Sequence, residues 1–158
     1  MRESYKGFYK VQHPEKYRGD PTQCYYRSLW ERKVCKFADM SDSVIEWCIE
    51  PFSIKYWSPI DSRPHQYIID FWMKVKRADG SIEVQLIEVK PYKQTLNPLS
   101  EEYAPKSRVR RTKTVARELT TWAVNEAKWK AARKLCEEKG WKFIILTEKE
   151  LFKRGRAS

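Results

Sequence analysis

Charged side chains interrupt two apolar segments that lie close together in the chain. Residues 67–72 and 85–91 are rich in β-branched and aromatic residues, and they contain Asp70, Glu88 and Lys90. Burying a charge in a strand is costly unless the charge is paired or binds an ion. These three residues are therefore candidates for an ion-binding or catalytic site.

A short turn signal, Ala-Asp-Gly at residues 78–80, separates the two segments and predicts a β-hairpin. A two-residue loop sets Asp70 opposite Val89 and leaves Glu88 on the other face of the sheet. A three-residue loop with a left-handed glycine sets Asp70 opposite Glu88. Because side chains alternate along a strand, the second loop also brings Lys90 to the same face, and we favour it for that reason.

Two acids on one face of a hairpin predict a metal site. Carboxylates directly opposite each other have Cβ atoms about 5 Å apart and repel. A divalent cation between them removes this repulsion, and hard oxygen ligands suit Mg²⁺. The alternative is an exposed hairpin in which Glu88 and Lys90 are ordinary surface charges. The spacing alone leaves both interpretations open.

The composition indicates one basic globular domain. The chain has 158 residues, enough for a single domain with a core, and its formal net charge of +11 favours a polyanionic partner such as nucleic acid. No apolar run approaches ~18 residues, and the N-terminus has no hydrophobic signal segment, so we expect no membrane partner and an intracellular protein. The cysteines are widely spaced, which is typical of core residues and not of zinc sites or disulfides. They are Cys24, Cys35, Cys48 and Cys136.

A helix and two strands are predicted before the hairpin. Helical periodicity favours a helix over 26–39, with Ser28 as a cap near its start. Strands over 44–49 and 52–57 then join the hairpin in an antiparallel meander. Glu31 falls in the first turns of the helix. There it is either a surface glutamate that favours the helix dipole or a third metal ligand, and the sequence favours the surface glutamate.

A long helix and a final strand are predicted after the hairpin. The helix spans 115–139 and ends at Gly140, and a buried strand follows over 141–147. A helix that feeds a strand predicts a parallel pairing, and hence a mixed sheet in a fold of the α/β (α+β) class. Asn125 and Lys128 fall off the predicted apolar stripe of the helix, so they could face the site or solvent. The stripe consists of Leu119, Trp122, Ala123, Ala127, Ala131 and Leu135.

The charge pattern predicts the organisation of the chain ends and a DNA contact. We predict an N-terminal basic and aromatic arm over 1–21, a single domain over 22–152 and a basic tail over 153–158. The arm is either a plain tail or a contact for nucleic acid or a partner protein. The densest basic run spans 106–117, has no acid before Glu118, and favours a contact with a phosphate backbone. Its cations are Lys106, Arg108, Arg110, Arg111, Lys113 and Arg117.

A helix glutamate, a strand aspartate and Glu-x-Lys at 88–90, in this order, resemble the PD-(D/E)XK nuclease superfamily. One departure is that Ile69 stands where the superfamily usually has proline. Longer segments also resemble the head completion nucleases of contractile-tailed phages, a family related to the catalytic domain of the TnsA transposon endonuclease. The resemblance covers about residues 5–152. The segments that carry it are 26–31, 58–61, 87–91 and 143–148.

The resemblance implies a restriction-endonuclease-like core, in which a central mixed β-sheet with an antiparallel meander is flanked by helices. It also implies metal-dependent cleavage of DNA phosphodiesters. Asp70 and Glu88 would hold Mg²⁺, or Mn²⁺ in its place, together with the backbone carbonyl of Val89. Glu31 would bind the metal directly or through water. Lys90 would orient or help deprotonate the attacking water and stabilise the charged phosphate.

The same resemblance implies further residues and partners. Gln94, Asn125 and Lys128 are expected near the scissile phosphate, and His65 is a weaker candidate. DNA is the expected substrate, phage head or neck proteins are further candidate partners, and no small-molecule cofactor is expected. The implied place of action is the host cytoplasm late in virion assembly, and association with the virion is left open.

Two alternatives stand beside the nuclease. A DNA-binding structural head or neck protein could retain the fold without catalysis, but it has no need for Asp70, Glu88 and Lys90 together. A TnsA-like transposase or restriction-type subunit would normally need a partner for target choice. Because the sequence contains no separate recognition domain, we expect cleavage directed by DNA structure or DNA ends rather than by sequence.

Overall fold

The computed structural model describes residues 5–153. Short 3₁₀ turns connect the regular elements, among them one at Tyr92–Thr95. The helices are α1 (Leu29–Met40), α2 (Thr112–Lys139) and α3 (Glu148–Leu151). The strands are β1 (Gly7–Phe8), β2 (Tyr25–Tyr26), β3 (Val44–Ile49), β4 (Ser53–Trp57), β5 (Pro64–Ile68), β6 (Phe71–Lys76), β7 (Ile82–Val89) and β8 (Lys142–Leu146).

A four-stranded sheet with the order β3-β6-β7-β8 forms the centre of the molecule. Strands β3, β6 and β7 pair antiparallel, and β8 pairs parallel to β7. Val34 and Ala38 of α1 belong to the core cluster on one face of this sheet, and Trp129 and Ala132 of α2 belong to the cluster on the other. The predicted α+β class, the mixed sheet and the parallel final strand are therefore confirmed.

The β6–β7 hairpin has the three-residue loop. Phe71 pairs with Ile87 at one end of the hairpin and Lys76 pairs with Ile82 at the other. The N–H of Arg77 then bonds the carbonyl of Ser81, which leaves residues 78–80 as the loop. Its glycine has a φ of 86°, in the left-handed region. The predicted turn, and with it the predicted register, is confirmed.

The predicted meander is wrong in one respect, since β4 does not join the central sheet. It pairs with β5 in a separate two-stranded sheet, and β3 pairs directly with β6. The chain leaves the sheet at Glu50, which has a φ of 45° and is followed by Pro51. It returns at Ile69 and Asp70, where the N–H of Glu50 bonds the carbonyl of Asp70 at 2.9 Å. The apolar run 67–72 is thus divided between two sheets.

Residues 5–21 pack along α1 and β3. The hydroxyl of Tyr9 donates at 2.7 Å to the carboxylate of Asp39, which is fully buried. Lys16 donates from Nζ to three backbone carbonyls at the C-terminal end of α1, at 2.7 to 2.9 Å. The predicted division of the chain at residue 21 stays a prediction, and residues 1–4 and 154–158 of the predicted arm and tail lie outside the described residues.

The long helix α2 faces the sheet with only part of its predicted apolar stripe, since Ala127, Ala131 and Leu135 are partly buried against the core and the most buried positions lie beside them. Its buried residues are Asn125, Trp129, Ala132 and Cys136. They follow helical spacing, but the asparagine interrupts the apolar pattern, which is why the sequence favoured a neighbouring stripe. Gly140 ends the helix with a φ of 71°, as predicted. All four cysteines are buried with free thiols, and no helix within 5–153 is long and apolar enough to cross a membrane.

Candidate active site

Asp70 lies at the point where the chain enters β6. The backbone N–H of Val89 donates to its Oδ2 at 2.8 Å, which holds the carboxyl group against the end of β7. Phe71 pairs with Ile87, so the same register places Asp70 level with Glu88. The two acids predicted to face each other across the hairpin are therefore brought together.

Glu88 points toward α2 and is only 5% exposed. The hydroxyl of Tyr67 and the indole N–H of Trp129 both donate to its Oε2, the latter at 3.1 Å. Two donors on one oxygen fix the carboxylate and leave Oε1 for another ligand. The sequence analysis missed both aromatic residues. The polar tips of Tyr67 and Trp129 were the signal, because a buried Tyr or Trp usually finds a hydrogen-bond partner.

The electrostatics of the acid pair favour a bound cation. Burial and then the charge of Glu88 raise the pKa of Asp70 to about 9, and Glu31 adds to the effect. Burial and Glu88 also raise the pKa of Tyr67. Two carboxyl groups in a poorly solvated site cannot both ionise easily without a compensating positive charge. The site therefore has the charge and the oxygen donors that a hard divalent cation requires.

Glu31 occupies the first turn of α1, at the third helical position. Its N–H bonds the hydroxyl of Ser28 at 3.1 Å, and its carboxylate accepts from that hydroxyl and from the N–H of Arg27, each at 3.3 Å. These bonds cap the helix, which therefore begins at Leu29 rather than at 26. Burial raises the pKa of Glu31. Its influence on Asp70 places it near the acid pair, and the choice between a surface glutamate and a metal ligand stays open.

The acid pair supplies only part of a metal coordination shell. Within 5–153, no three or more His, Cys, Asp or Glu side chains are arranged to hold a metal ion. Mg²⁺ is normally bound by one or two carboxylates, with water and phosphate oxygens completing six positions. Asp70, Glu88 and the backbone carbonyl of Val89 fit that pattern, so the residues present suit Mg²⁺ rather than a metal that needs a full set of protein ligands.

Lys90 directly follows β7. Its backbone N–H bonds the carbonyl of Leu146 in β8 at 2.9 Å. Strand alternation points its side chain to the same face as Glu88. The ion pairs among the described residues do not include Lys90. A half-buried lysine on the face of the acid pair, without a carboxylate partner, can bind an anionic substrate group.

The residues expected near the scissile phosphate lie at three places in the fold. Gln94 and Asn125 line the same small pocket, and their place near a phosphate stays a prediction. Lys128 places Nζ 5.7 Å from the centre of the Tyr67 ring, whose hydroxyl binds Glu88. His65 lies exposed on β5, where its Nε2 is 2.7 Å from Asp61, and among residues 5–153 no hydrogen bond or ion pair joins it to Asp70 or Glu88.

The basic run lies in the loop before α2 and in the first turns of that helix. Arg110 is bound internally, because its guanidinium donates to Glu118 at 2.5 Å and to the carbonyl of Pro98 at 2.8 Å. Its predicted DNA contact stays a prediction, but its charge is already balanced. The other cations of the run are exposed: Lys106, Arg108, Arg111, Lys113 and Arg117.

A wider groove of about 600 Å³ lies on the opposite face of the central sheet. It is lined mainly by apolar residues of α1 and the sheet, among them Phe37, Met73 and Ile87. Ile87 and Glu88 are adjacent in β7 and point to opposite faces. The groove is therefore separated from the acid pair by the thickness of the sheet.

Comparison with known proteins places this geometry in a family. The chain is 37% identical over 145 residues to the head completion nuclease of Enterobacteria phage T4, and the match covers 92% of each chain. Residues 41–148 match the family described as Tn7 TnsA-like endonuclease, N terminal. The matched range contains Asp70, Glu88 and Lys90, whereas Glu31 precedes it. Both matches agree with the restriction-endonuclease-like fold, and the chain belongs to the TnsA-like endonuclease N-terminal family.

Proposed function

We propose that this protein is a metal-dependent DNA endonuclease that acts in the completion of a phage head. The observation that supports this most directly is the pair Asp70 and Glu88, two neighbouring carboxyl groups of which one has its pKa raised to about 9. A protein that only binds DNA gains nothing from such a pair, because bringing two acids together in a poorly solvated site is unfavourable.

The acid pair would hold the metal ion. Asp70 and Glu88 would be the side-chain ligands, the latter through Oε1 because Oε2 already accepts two hydrogen bonds. The carbonyl of Val89 would contribute a backbone oxygen, and Glu31 would bind directly or through water. Bound Mg²⁺ would lower the pKa of a water molecule and offset the negative charge that develops on the phosphate.

Lys90 would act on the substrate itself. Strand alternation places its side chain on the face of the acid pair, and it has no carboxylate partner among the described residues. It can donate hydrogen bonds to the attacking water and to a non-bridging phosphate oxygen. Such fixed donors are most valuable where negative charge grows in the transition state.

The substrate would be DNA selected by structure rather than by sequence. A net charge of +11 attracts the phosphate backbone without reading bases. The exposed cations of the basic run and Lys128 would bind phosphates on the side of the sheet that carries the acids. The T4 relative is named a head completion nuclease. We place this protein at the same stage, in the host cytoplasm, with head or neck proteins as candidate partners.

The test is cleavage of supercoiled, linear and branched DNA with Mg²⁺ by the wild type, Asp70→Asn and Lys90→Ala. We expect both variants to lose at least about 100-fold in rate, because each removes a group that stabilises the transition state. Asp42→Asn is the matched control, since Asp42 is an exposed acid on the same chain. Cleavage that survives both substitutions, or that proceeds equally in excess chelator, would contradict the proposal.

A further inference from the structure

A pocket of about 160 Å³ lies between α2 and residues 94–103. A water molecule takes up about 30 Å³ of liquid, and pockets for drug-sized ligands or cofactors start at about 300 Å³. The pocket is therefore too large for one or two waters and too small for a dinucleotide. Its walls include the aromatic rings of Tyr103 and Trp122 and the apolar side chains of Leu96 and Pro98. A single planar ring fits these dimensions and this lining.

Asn125 supplies an unpartnered polar group to this pocket. The residue is 7% exposed and lines the pocket, and its side-chain amide makes no hydrogen bond to any residue in 5–153. Unlike the fully buried indole N–H of Trp122, this amide keeps some accessible surface, so a ligand in the pocket can reach it. An amide can both donate and accept, so a ligand with donors and acceptors on its edge would satisfy it.

The pocket adjoins the acid pair through two connections in the chain. Asn125 lies one helical turn, about 5.4 Å, before Trp129, whose indole N–H bonds Glu88. Gln94, which also lines the pocket, lies in the 3₁₀ turn that follows Lys90 and Pro91. Helix α2 and this turn thus link the pocket to the residues proposed to cut.

The charge around the pocket suits a nucleotide. Arg117 lines it and is exposed, and Lys93 lies over the ring of Tyr103 at 4.5 Å. The one acid in the lining, Glu118, is neutralised by Arg110 at 2.5 Å and also accepts from the Tyr103 hydroxyl. Cations at the rim can hold phosphates while the interior holds the ring.

We propose that this pocket receives one unpaired nucleobase of the DNA, adjacent to the phosphate that is cleaved. Stacking on an aromatic side chain tolerates any base, and the Asn125 amide can pair with an edge that is free only when the base is unpaired. The site would therefore select flipped, bulged or single-stranded nucleotides without selecting a sequence. This inference rests on the proposed nuclease function and names its substrate class.

The test compares two labelled duplexes that differ by one base. The first carries a single bulged nucleotide, and the second carries an abasic residue at the same bulge. Binding is measured by fluorescence anisotropy in Ca²⁺ rather than Mg²⁺. We expect the wild type to bind the duplex with the base about 10-fold more tightly, the range expected for one stacked base.

Filling the pocket should abolish this preference. Thr121→Trp places a large side chain at a residue that lines the pocket, so the affinity ratio should fall to near one. Thr120→Trp is the matched control, because Thr120 is exposed and does not line the pocket. If Thr121→Trp does not fold by circular dichroism, Asn125→Leu, of similar size, removes the amide and should also lower the ratio.

The results separate the pocket from the nuclease. A wild-type ratio near one, or an unchanged ratio in both pocket variants, would overturn the base-binding inference even if Asp70-dependent cleavage is found. A 10-fold ratio without Mg²⁺-dependent cleavage would support the pocket and count against the nuclease.

Discussion

At the scale of single residues, the raised pKa of Asp70 shows most clearly that the site lowers the stability of the fold at neutral pH. Its pKa is raised from about 4 in an unfolded chain to about 9, by burial and then by the charge of Glu88. A carboxyl group shifted upward stabilises the fold fully below its unfolded pKa and loses that contribution as pH rises toward the folded pKa. The window runs from about pH 4 to about pH 9.

We therefore expect Asp70→Asn to become more stable relative to the wild type as pH rises through this window, in the absence of divalent ions. The difference should grow by up to about 1.4 kcal/mol per pH unit, the value for one proton. Chemical denaturation at pH 5, 6, 7 and 8 measures it. Asp42→Asn should run parallel to the wild type, and a constant offset for Asp70→Asn would contradict the expectation.

Tyr67 is the second residue whose role can be isolated, because its hydroxyl donates to Glu88 Oε2. Tyr67→Phe removes that donor and little else, so Glu88 should be less well oriented toward a metal. Loss of such an outer hydrogen bond costs about 10-fold to 100-fold in metal affinity. Titration calorimetry with Mn²⁺ measures this without cleavage.

Tyr56→Phe is the control for this measurement. Tyr56 is also buried, and its ring also lies beside Lys128 Nζ, at 5.8 Å, but its hydroxyl makes no hydrogen bond to Glu88. Equal Mn²⁺ affinities of the two variants would show that the Tyr67 hydroxyl does not support the metal site.

At the scale of elements, the N-terminal segment and α1 depend on each other. The ammonium of Lys16 bonds three carbonyls at the C-terminal end of α1, where positive charge is favoured by the helix dipole. The segment predicted as a separate arm thus ends the helix that carries Glu31 at its other end.

Lys16→Met keeps the aliphatic chain and removes the ammonium. We expect it to lower the free energy of unfolding by about 1.5–3 kcal/mol, the range for hydrogen bonds to a charged group. Urea denaturation measures the change, with Lys10→Met, at an exposed position, as the control. Equal stability of the two variants would indicate that residues 1–21 are an arm separate from the domain.

The strands and helices also show which structural features could be predicted from the sequence. Gly80 allows either loop, and the hairpin register was predicted because only the three-residue loop brings Asp70, Glu88 and Lys90 to one face. The division of 67–72 between two sheets was not, since it depends on a hydrogen bond between Glu50 and Asp70 that no local pattern reveals. The buried side of α2 was predicted only in part, because the polar Asn125 lies on it and interrupts the apolar pattern.

The candidate site shows the same limit. The choice of hairpin loop was enough to predict which acids meet, and the register of β6 and β7 places Asp70 level with Glu88. Tyr67 was hidden within an apolar run, and its bond to Glu88 joins residues 21 positions apart. The bond between Arg110 and Glu118 was also missed, because a run of like charges does not indicate which member is paired.

At the scale of the whole molecule, the net charge of +11 should dominate binding to DNA. Arg108→Ala combined with Arg111→Ala removes two exposed cations of the basic run. Each lost phosphate contact lowers the slope of log affinity against log salt by about 0.9. We expect a reduction of up to about 1.8 in that slope.

The control for the salt experiment is Lys130→Ala combined with Lys134→Ala, two exposed cations in the C-terminal half of α2. The control should change the slope less, although it removes the same charge. Arg110 is left intact because its loss would also free Glu118. Identical slopes for the two double variants would move the DNA path away from the basic run.

Strand β7 is an inner strand, with β6 on one side and β8 on the other. Glu88 therefore cannot slide relative to Asp70 unless the ladder of backbone hydrogen bonds between β6 and β7 breaks. The spacing of the two acids is thus set by the sheet and not by a bound ligand. Residues 91–111 connect β7 to α2 and form no sheet strand. We therefore expect any conformational change that accommodates DNA of different shapes to occur in this segment.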